Sequence, residues 1–119
     1  MKYGEMVREL RLRKEITLRE LALNSDIDVA YLSRVERGTI PPPQKEELLE
    51  AINEALGATK QEAQQLNDQA AIDNRLFPKD IAENLEKLAG IPLLLRTVAN
   101  KKLTPDEIRE VTQYINKEY

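Results

Sequence analysis

Two residue types that often carry out chemistry in proteins are missing from this chain. Its 119 residues include no cysteine and no histidine. The chain therefore has no thiolate nucleophile, no sulfur-based zinc site, and neither the commonest general base nor the commonest metal ligand. We expect a protein that is not an enzyme, with no catalytic residues, no cofactor and no metal.

The stretch from Asp26 to Gly38, DIDVAYLSRVERG, offers a different chemistry. Asp28 can cap a helix over about 29–36, and Gly38 suits its end. The leading positions of this helix, Val29 and Ala30, are small and apolar, and arginines follow. Such a helix suits contact with an outside surface better than catalysis.

The preceding helix and turn determine how the helix over 29–36 packs against the rest of the domain. Thr17 and Glu20 form a capping box that predicts a helix over about 18–25. Only residues 26–28 separate the two helices, so they must cross steeply, as in a helix-turn-helix. On spacing alone, an ordinary helical hairpin fits equally well. The residues expected to pack beneath the crossing are Leu21, Ala22, Ile27, Leu32 and Val35.

The rest of the chain also carries helix signals and almost no strand signals. Further helices are predicted over about 3–14, 45–56 and 59–72, with a stiff triproline connector at 41–43. After a connector at 74–78, we expect an amphipathic helix carrying Ile81, Leu85 and Leu88, then a helix opening at Pro92 and a last one capped by Thr104. The predicted fold is all-α, with about eight helices.

Residues 7–57 resemble the XRE-type, lambda-repressor-like helix-turn-helix regulators. The resemblance is carried by VRELR at 7–11, IT at 16–17, ELA at 20–22 and above all YLSRVERG at 31–38, with Pro42 and the Leu49 to Gly57 ending. It implies a five-helix DNA-binding domain, here residues 1–73, whose helix 29–36 enters the major groove.

The resemblance also implies the DNA-contacting residues. Methyl groups of Val29 and Ala30 can pack against a thymine methyl, and Arg34 can reach guanine with two hydrogen bonds. Tyr31 fits either a phosphate contact or a packing role. The expected base contacts are Asp28, Val29, Ala30, Ser33 and Arg34, and the expected backbone contacts are Thr17, Leu18, Arg19, Tyr31, Arg37 and Thr39.

Two positions depart from the family pattern. Asp26 stands where a turn glycine is usual, and aspartate adopts the left-handed conformation at some cost. Leu18 stands where a polar phosphate-contacting side chain is common. We also expect Arg11 to pair with Glu36 and fix the reading helix on the first helix.

The net charge of −3 does not favour a polyanion as partner, but its distribution is uneven. Residues 1–45 carry nine Lys and Arg against seven acids, whereas the other 74 residues carry nine against fourteen. Local potential matters more than total charge for steering DNA. The charge pattern therefore permits DNA binding without arguing for it.

Residues 76–119 resemble no family that we recognise. Their apolar residues could form a core, but some 44 residues make a small one, and pairing with a second copy is a natural remedy. We expect a helical dimerisation unit, although a ligand site or a protein docking face fits the same residues. The expected dimer contacts are Leu93, Leu94, Leu95, Val98, Ile108, Val111 and Ile115.

These features favour a cytoplasmic homodimer that binds double-stranded DNA at a pseudo-palindromic operator, as a repressor. The alternative is an antitoxin or partner-controlled regulator whose C-terminal half binds another protein: a toxin, an antagonist or a protease. No apolar run approaches the ~18 residues of a membrane span, and no signal peptide is evident.

Overall fold

Every regular element that the structure describes is an α-helix. The computed structural model describes residues 1–77, 79–85 and 90–119. The all-α prediction is therefore confirmed over these ranges. The helices are α1 (Tyr3–Arg13), α2 (Leu18–Ser25), α3 (Val29–Arg37), α4 (Glu46–Ala55), α5 (Lys60–Asp73), α6 (Lys79–Leu85), α7 (Ile91–Lys101) and α8 (Pro105–Glu118).

Local signals set most of the helix ends. Thr17, Thr59 and Thr104 each accept a hydrogen bond from the backbone N–H three residues on, and each capping box is complete. The capping box of Thr17 and the cap at Thr104 were predicted. Gly38 and Gly57 stop the chain after α3 and α4 in the left-handed region, at φ of 74° and 62°. Helix α3 runs one residue beyond its predicted end because Arg37 completes the final turn before Gly38.

The chain forms two compact units, Met1–Lys79 and Asp80–Tyr119. In the first, α1 and α2 pack against α3, α4 packs against α2, and α5 packs against α1. The predicted contacts beneath the crossing are present: Leu21, Leu32 and Val35 are buried, with Ala22 and Ile27 packed against them. Other buried apolar members of this core are Tyr3, Val7, Leu10, Ile52, Leu56, Leu66 and Ala70.

The two ends of the first unit are fastened to each other. The backbone N–H of Tyr3 donates to Asp73 Oδ2 over 2.7 Å, and Gln69 donates to the other carboxylate oxygen. The side-chain amide of Asn74 donates to the carbonyl of Pro42 over 3.1 Å. The end of α5 is thus tied to the start of α1 and to the triproline connector.

In the second unit, α7 and α8 are amphipathic helices. Neither α7 nor α8 contains a buried residue. Ile108, Val111 and Ile115 lie on one face of α8, as predicted, and are 47%, 40% and 46% exposed. Pro92 lies in the first turn of α7, also as predicted. Pro78 and Leu88, which belong to a predicted connector and a predicted apolar stripe, lie outside the described residues.

Candidate nucleic-acid interface

The leading end of α3 is anchored by its own cap. Asp28 precedes the helix, and its carboxylate accepts a hydrogen bond from the backbone N–H of Tyr31 over 3.2 Å. This bond satisfies one of the free amides of the first turn and fixes where the helix begins. Val29 and Ala30 are thereby presented at the start of a defined helix.

One face of α3 is open to solvent. Ala30 and Arg34 are exposed, Val29 is 41% exposed, and Ser33 is half-buried. Arg34 and Arg37 reach back along the helix, and their Nε atoms donate to the carbonyls of Ala30 and Ser33 at 3.4 and 3.3 Å. These long hydrogen bonds are weak, so either guanidinium can leave its carbonyl for an external acceptor.

The opposite face of α3 holds the helix on its support. Leu32, Val35 and Glu36 are buried there. Arg11 on α1 donates from Nε and Nη2 to the two carboxylate oxygens of Glu36 at 2.8 and 2.9 Å, and from Nη1 to the carbonyl of Ile16 at 3.0 Å. The hydrogen bond to Glu36 raises the pKa of the Arg11 guanidinium further. The predicted Arg11–Glu36 pair is present and bidentate.

The approach of α1 to α3 depends on a residue that the sequence analysis did not single out. A Cβ atom added at Gly4 would lie 2.1 Å from the carbonyl oxygen of Val35 and 2.9 Å from that of Glu36. Only glycine permits the two backbones to come this close. A glycine inside a predicted helix is the signal that could have identified this contact.

Residues around the start of α2 and the end of α3 form the remaining part of the surface. Thr17, Arg19, Arg37 and Thr39 are exposed. The first amides of α2, at Leu18 and Arg19, have no carbonyl within their own helix to bond. The side chain of Leu18 packs against the core, so an apolar residue suits this position.

The turn between α2 and α3 has the left-handed conformation that is expected where the family pattern usually has glycine. Asp26 lies in the left-handed region, at φ 56° and ψ 39°, and its backbone N–H bonds the carbonyl of Leu23. The amide of Ile27 bonds the carbonyl of Ala22, and Ile27 packs against the core. The turn is therefore closed by backbone hydrogen bonds and one apolar side chain.

The described residues contain no cluster of three or more Asp and Glu side chains placed to hold a metal ion. Within the same ranges, no helix is long and apolar enough to cross a membrane.

Two short packed helices joined by a three-residue turn, with the second exposed along its outer face, are the arrangement of a helix-turn-helix protein. Residues 2–66 match the helix-turn-helix domain family, and because the match spans more than half of the chain, the protein belongs to that family. The helix-turn-helix is a DNA-binding motif, so the protein is of the class of DNA-binding transcriptional regulators.

The chain is also similar to a solved structure. The clp gene regulator ClgR from C. glutamicum is 38% identical to it, with 58% of this chain and 83% of that chain covered and a TM-score of 0.47. No curated protein matches it.

Proposed function

We propose that the protein is a dimeric repressor that occupies a pseudo-palindromic operator through α3. The observation that supports this most is the division of α3 into two faces. Val29, Ala30 and Arg34 are open to solvent, while Leu32, Val35 and Glu36 fix the helix on α1 and α2. A helix held this way can enter the major groove without rearrangement.

The base contacts follow from the chemistry of the open face. The methyl groups of Val29 and Ala30 pack against thymine methyls, and Arg34 donates two hydrogen bonds to guanine O6 and N7. Ser33 bonds either base type, and the Asp28 carboxylate accepts from cytosine N4. The half-site is therefore a thymine-rich patch beside a G·C pair.

The backbone contacts hold this helix in register. Phosphates on one side of the groove bond the first amides of α2, at Leu18 and Arg19, together with the Thr17 hydroxyl and the Arg19 guanidinium. Arg37 and Thr39 bond phosphate beyond the end of α3. Tyr31 lies between the open and the buried face and bonds phosphate through its hydroxyl.

The DNA-binding domain of residues 1–73 needs a partner because one module buries only ~600–1,000 Å² on DNA. Residues 76–119 supply it by pairing with a second copy. Helical spacing of about 100° per residue puts Leu94, Leu95 and Val98 on one face of α7. It puts Leu93, which we expected among the dimer contacts, on the opposite side, so Leu93 is left out of the interface proposed for α7. We place the α7 dimer contact on the face of Leu95, and the α8 contact on the face of Ile108, Val111 and Ile115.

The exposed apolar faces of α7 and α8 also suit a second candidate function. In that case the protein is an antitoxin or partner-controlled regulator, and these faces bind a toxin, an antagonist or a protease. A stable complex with the product of a neighbouring gene, formed in place of the homodimer, would favour it.

The test is selection of bound duplexes from a random pool, followed by salt titration on the selected sequence. We expect a two-fold symmetric motif whose affinity falls roughly 10³-fold between 50 and 200 mM salt, since about six phosphates are neutralised. Weak binding without sequence preference would refute the proposal.

Two matched arginine variants distinguish a contact to a base from a contact to a backbone phosphate. Arg34→Ala should cost about 1–3 kcal/mol of binding and relax the preference at one G·C pair, because a bidentate base contact is lost. Arg37→Ala should weaken all sequences alike and lower the salt slope by about one. An unchanged base preference in Arg34→Ala would make Arg34 a phosphate contact.

Two matched leucine variants test the dimer. Leu95→Asp should shift the protein to monomer in light scattering, whereas Leu93→Asp, on the other side of α7, should leave the dimer intact. A dimer that survives Leu95→Asp but not Leu93→Asp would place the interface on the opposite face.

A further inference from the structure

The segment that follows α3 carries an expected DNA contact and borders a cleft. Residues 38–42 form one wall of this cleft, which has a volume of about 300 Å³, and Lys2, Gly4 and Asp73 are among its other lining residues. Thr39, the expected phosphate contact, is exposed on this segment. Because the cleft leaves the segment without complete packing beneath it, the position of Thr39 depends on how the two ends of the segment are fastened.

The first end of the segment is fastened to α3. The amide of Gly38 donates to the carbonyl of Val35 over 3.0 Å. The amide and the hydroxyl of Thr39 both donate to the carbonyl of Arg34, over 3.0 and 3.1 Å. Ile40 then packs against the core. If the Thr39 hydroxyl turns to a phosphate oxygen, the Arg34 carbonyl keeps its amide partner, so the hydroxyl is available to DNA at little cost.

The second end of the segment is fastened by Asn74, at the end of α5. Residues 41–43 are prolines, which have no backbone N–H, so their carbonyls are the only backbone groups that can form hydrogen bonds. The side-chain amide of Asn74 donates to the Pro42 carbonyl over 3.1 Å and lies 3.5 Å from the Pro43 carbonyl oxygen. Pro43 is buried, and Asn74 is half-buried. Asn74 therefore holds the prolines on the end of α5.

The stiffness of the prolines connects this hydrogen bond to Thr39. The proline ring fixes φ near about −65°, and a proline also restricts the backbone of the residue before it. Residues 40–43 are therefore stiff. Pro42 follows Thr39 by only three residues. A shift of Pro42 is consequently passed on to Thr39 and is not absorbed between them.

We infer that Asn74 is a positioning residue for DNA binding, which holds the Thr39 hydroxyl at a backbone phosphate through the triproline connector. This inference rests on the proposed function. It adds to the proposed interface a residue of α5 that acts on the DNA through another residue, and it gives a purpose to a hydrogen bond between residues 32 positions apart in the sequence.

The experiment compares DNA affinity in Asn74→Ala, Thr39→Ala and the double variant, using the full chain and its selected duplex. Affinity is measured at a temperature where circular dichroism shows every variant folded. Asn74→Ala should weaken binding roughly 2- to 10-fold, the range that one hydrogen bond contributes. Thr39→Ala should weaken binding at least as much, and the double variant no more than Thr39→Ala alone. The salt slope and the base preference should not change, because no cation and no base contact is lost.

Gln69→Ala is the matched control for a general structural role. Gln69 also carries a side-chain amide on α5, but it donates to Asp73 Oδ1 over 2.9 Å and not to the connector. Each variant loses one hydrogen bond near the end of α5, so each should lower the melting temperature by roughly 2–12 °C. Only Asn74→Ala should weaken DNA binding.

The inference is overturned if Asn74→Ala binds as tightly as the unmodified chain, or no more weakly than Gln69→Ala. It is also overturned if Asn74→Ala weakens binding equally when Thr39 is already alanine, because Asn74 would then act through a different contact. In each case a selected two-fold motif and an altered base preference in Arg34→Ala would still support the proposed function.

Discussion

Removing the Glu36 carboxylate should destabilise the first unit more than almost any other single polar change. Glu36→Leu leaves the Arg11 guanidinium, whose side chain is 11% exposed, with the Ile16 carbonyl as its one remaining hydrogen-bond partner among the described residues. Two charge-assisted hydrogen bonds are lost, each contributing roughly 1.5–3 kcal/mol. Breaking a buried pair by removing one partner costs about 3–5 kcal/mol. Since Arg11 is long and close to the surface, we expect about 3 kcal/mol.

That loss is large beside the total stability of a small domain. A unit of this size has an unfolding free energy of roughly 4–12 kcal/mol. A change of 1 kcal/mol shifts the melting temperature of a 60–100-residue domain by about 4–8 °C. Glu36→Leu should therefore lower the melting temperature by roughly 12–24 °C, measured by circular dichroism at 222 nm with urea titrations in parallel.

Two companion variants show whether the ion pair is the cause. Arg11→Met with Glu36→Leu removes both charges, and an apolar replacement for a buried pair is often neutral or stabilising. The double variant should recover most of the lost stability. Glu9→Leu, an exposed glutamate on α1, should stay within about 0.5 kcal/mol of the original. A loss below about 1 kcal/mol in Glu36→Leu, or a double variant no more stable than the single one, would refute the reasoning.

Three further changes test other parts of the fold. Gly4→Ala should cost about 1–3 kcal/mol in urea unfolding, because its Cβ would overlap the Val35 carbonyl. Asp26→Gly should gain about 0.5–1 kcal/mol in thermal unfolding, since glycine adopts φ 56° without strain. The pKa of Glu62 is lowered, and the largest cause is the hydrogen bond that its carboxylate accepts from the Thr59 backbone N–H. The ionised carboxylate therefore stabilises the fold at pH values above the ordinary pKa of glutamate, and this stabilisation is lost as the pH falls through the folded pKa. The stability difference between Glu62→Gln and the original should therefore be full at pH 7 and shrink in acid.

Each of these changes has a control or a contrary outcome in the same chain. Gly90→Ala, whose added Cβ meets nothing within 4 Å, should change stability little. A loss of stability in Asp26→Gly would mean that the aspartate side chain contributes something beyond its backbone conformation. A Glu62→Gln difference that grows in acid would reverse the sign expected for a lowered pKa.

Much of the helical framework was predictable because its signals are local. A capping threonine, a left-handed glycine and a proline in the first turn each act within a few residues, so α2, α5 and α8 begin where the sequence indicates. Helix lengths were less certain at their ends, as with Arg37, because terminal turns are weakly determined.

The contacts that hold the α3 surface in place were only partly predictable. The Arg11–Glu36 pair was expected from the family resemblance. In contrast, the burial of Tyr3, the hydrogen bond from its amide to Asp73 and the bond of Lys14 to the Gly57 carbonyl at 2.6 Å join residues far apart in sequence. No periodic pattern encodes such pairings, because they depend on how complete helices pack.

Leu18 shows how a resemblance can indicate a position without explaining its side chain. The family pattern implies a polar phosphate contact there, whereas this leucine packs against the core. The apolar faces of α7 and α8 were likewise evident from their spacing. Which molecule covers them depends on a second chain, and one sequence does not contain that information.

The hydrogen bond between Tyr3 and Asp73 has a practical consequence for protein engineering. It brings the two ends of the first unit within 2.7 Å of each other at these atoms. Domains whose termini are neighbours at the surface tolerate circular permutation. The unit could therefore be closed by a short linker and reopened at an exposed loop, which would let a fused reporter enter from a new direction while α3 keeps its support.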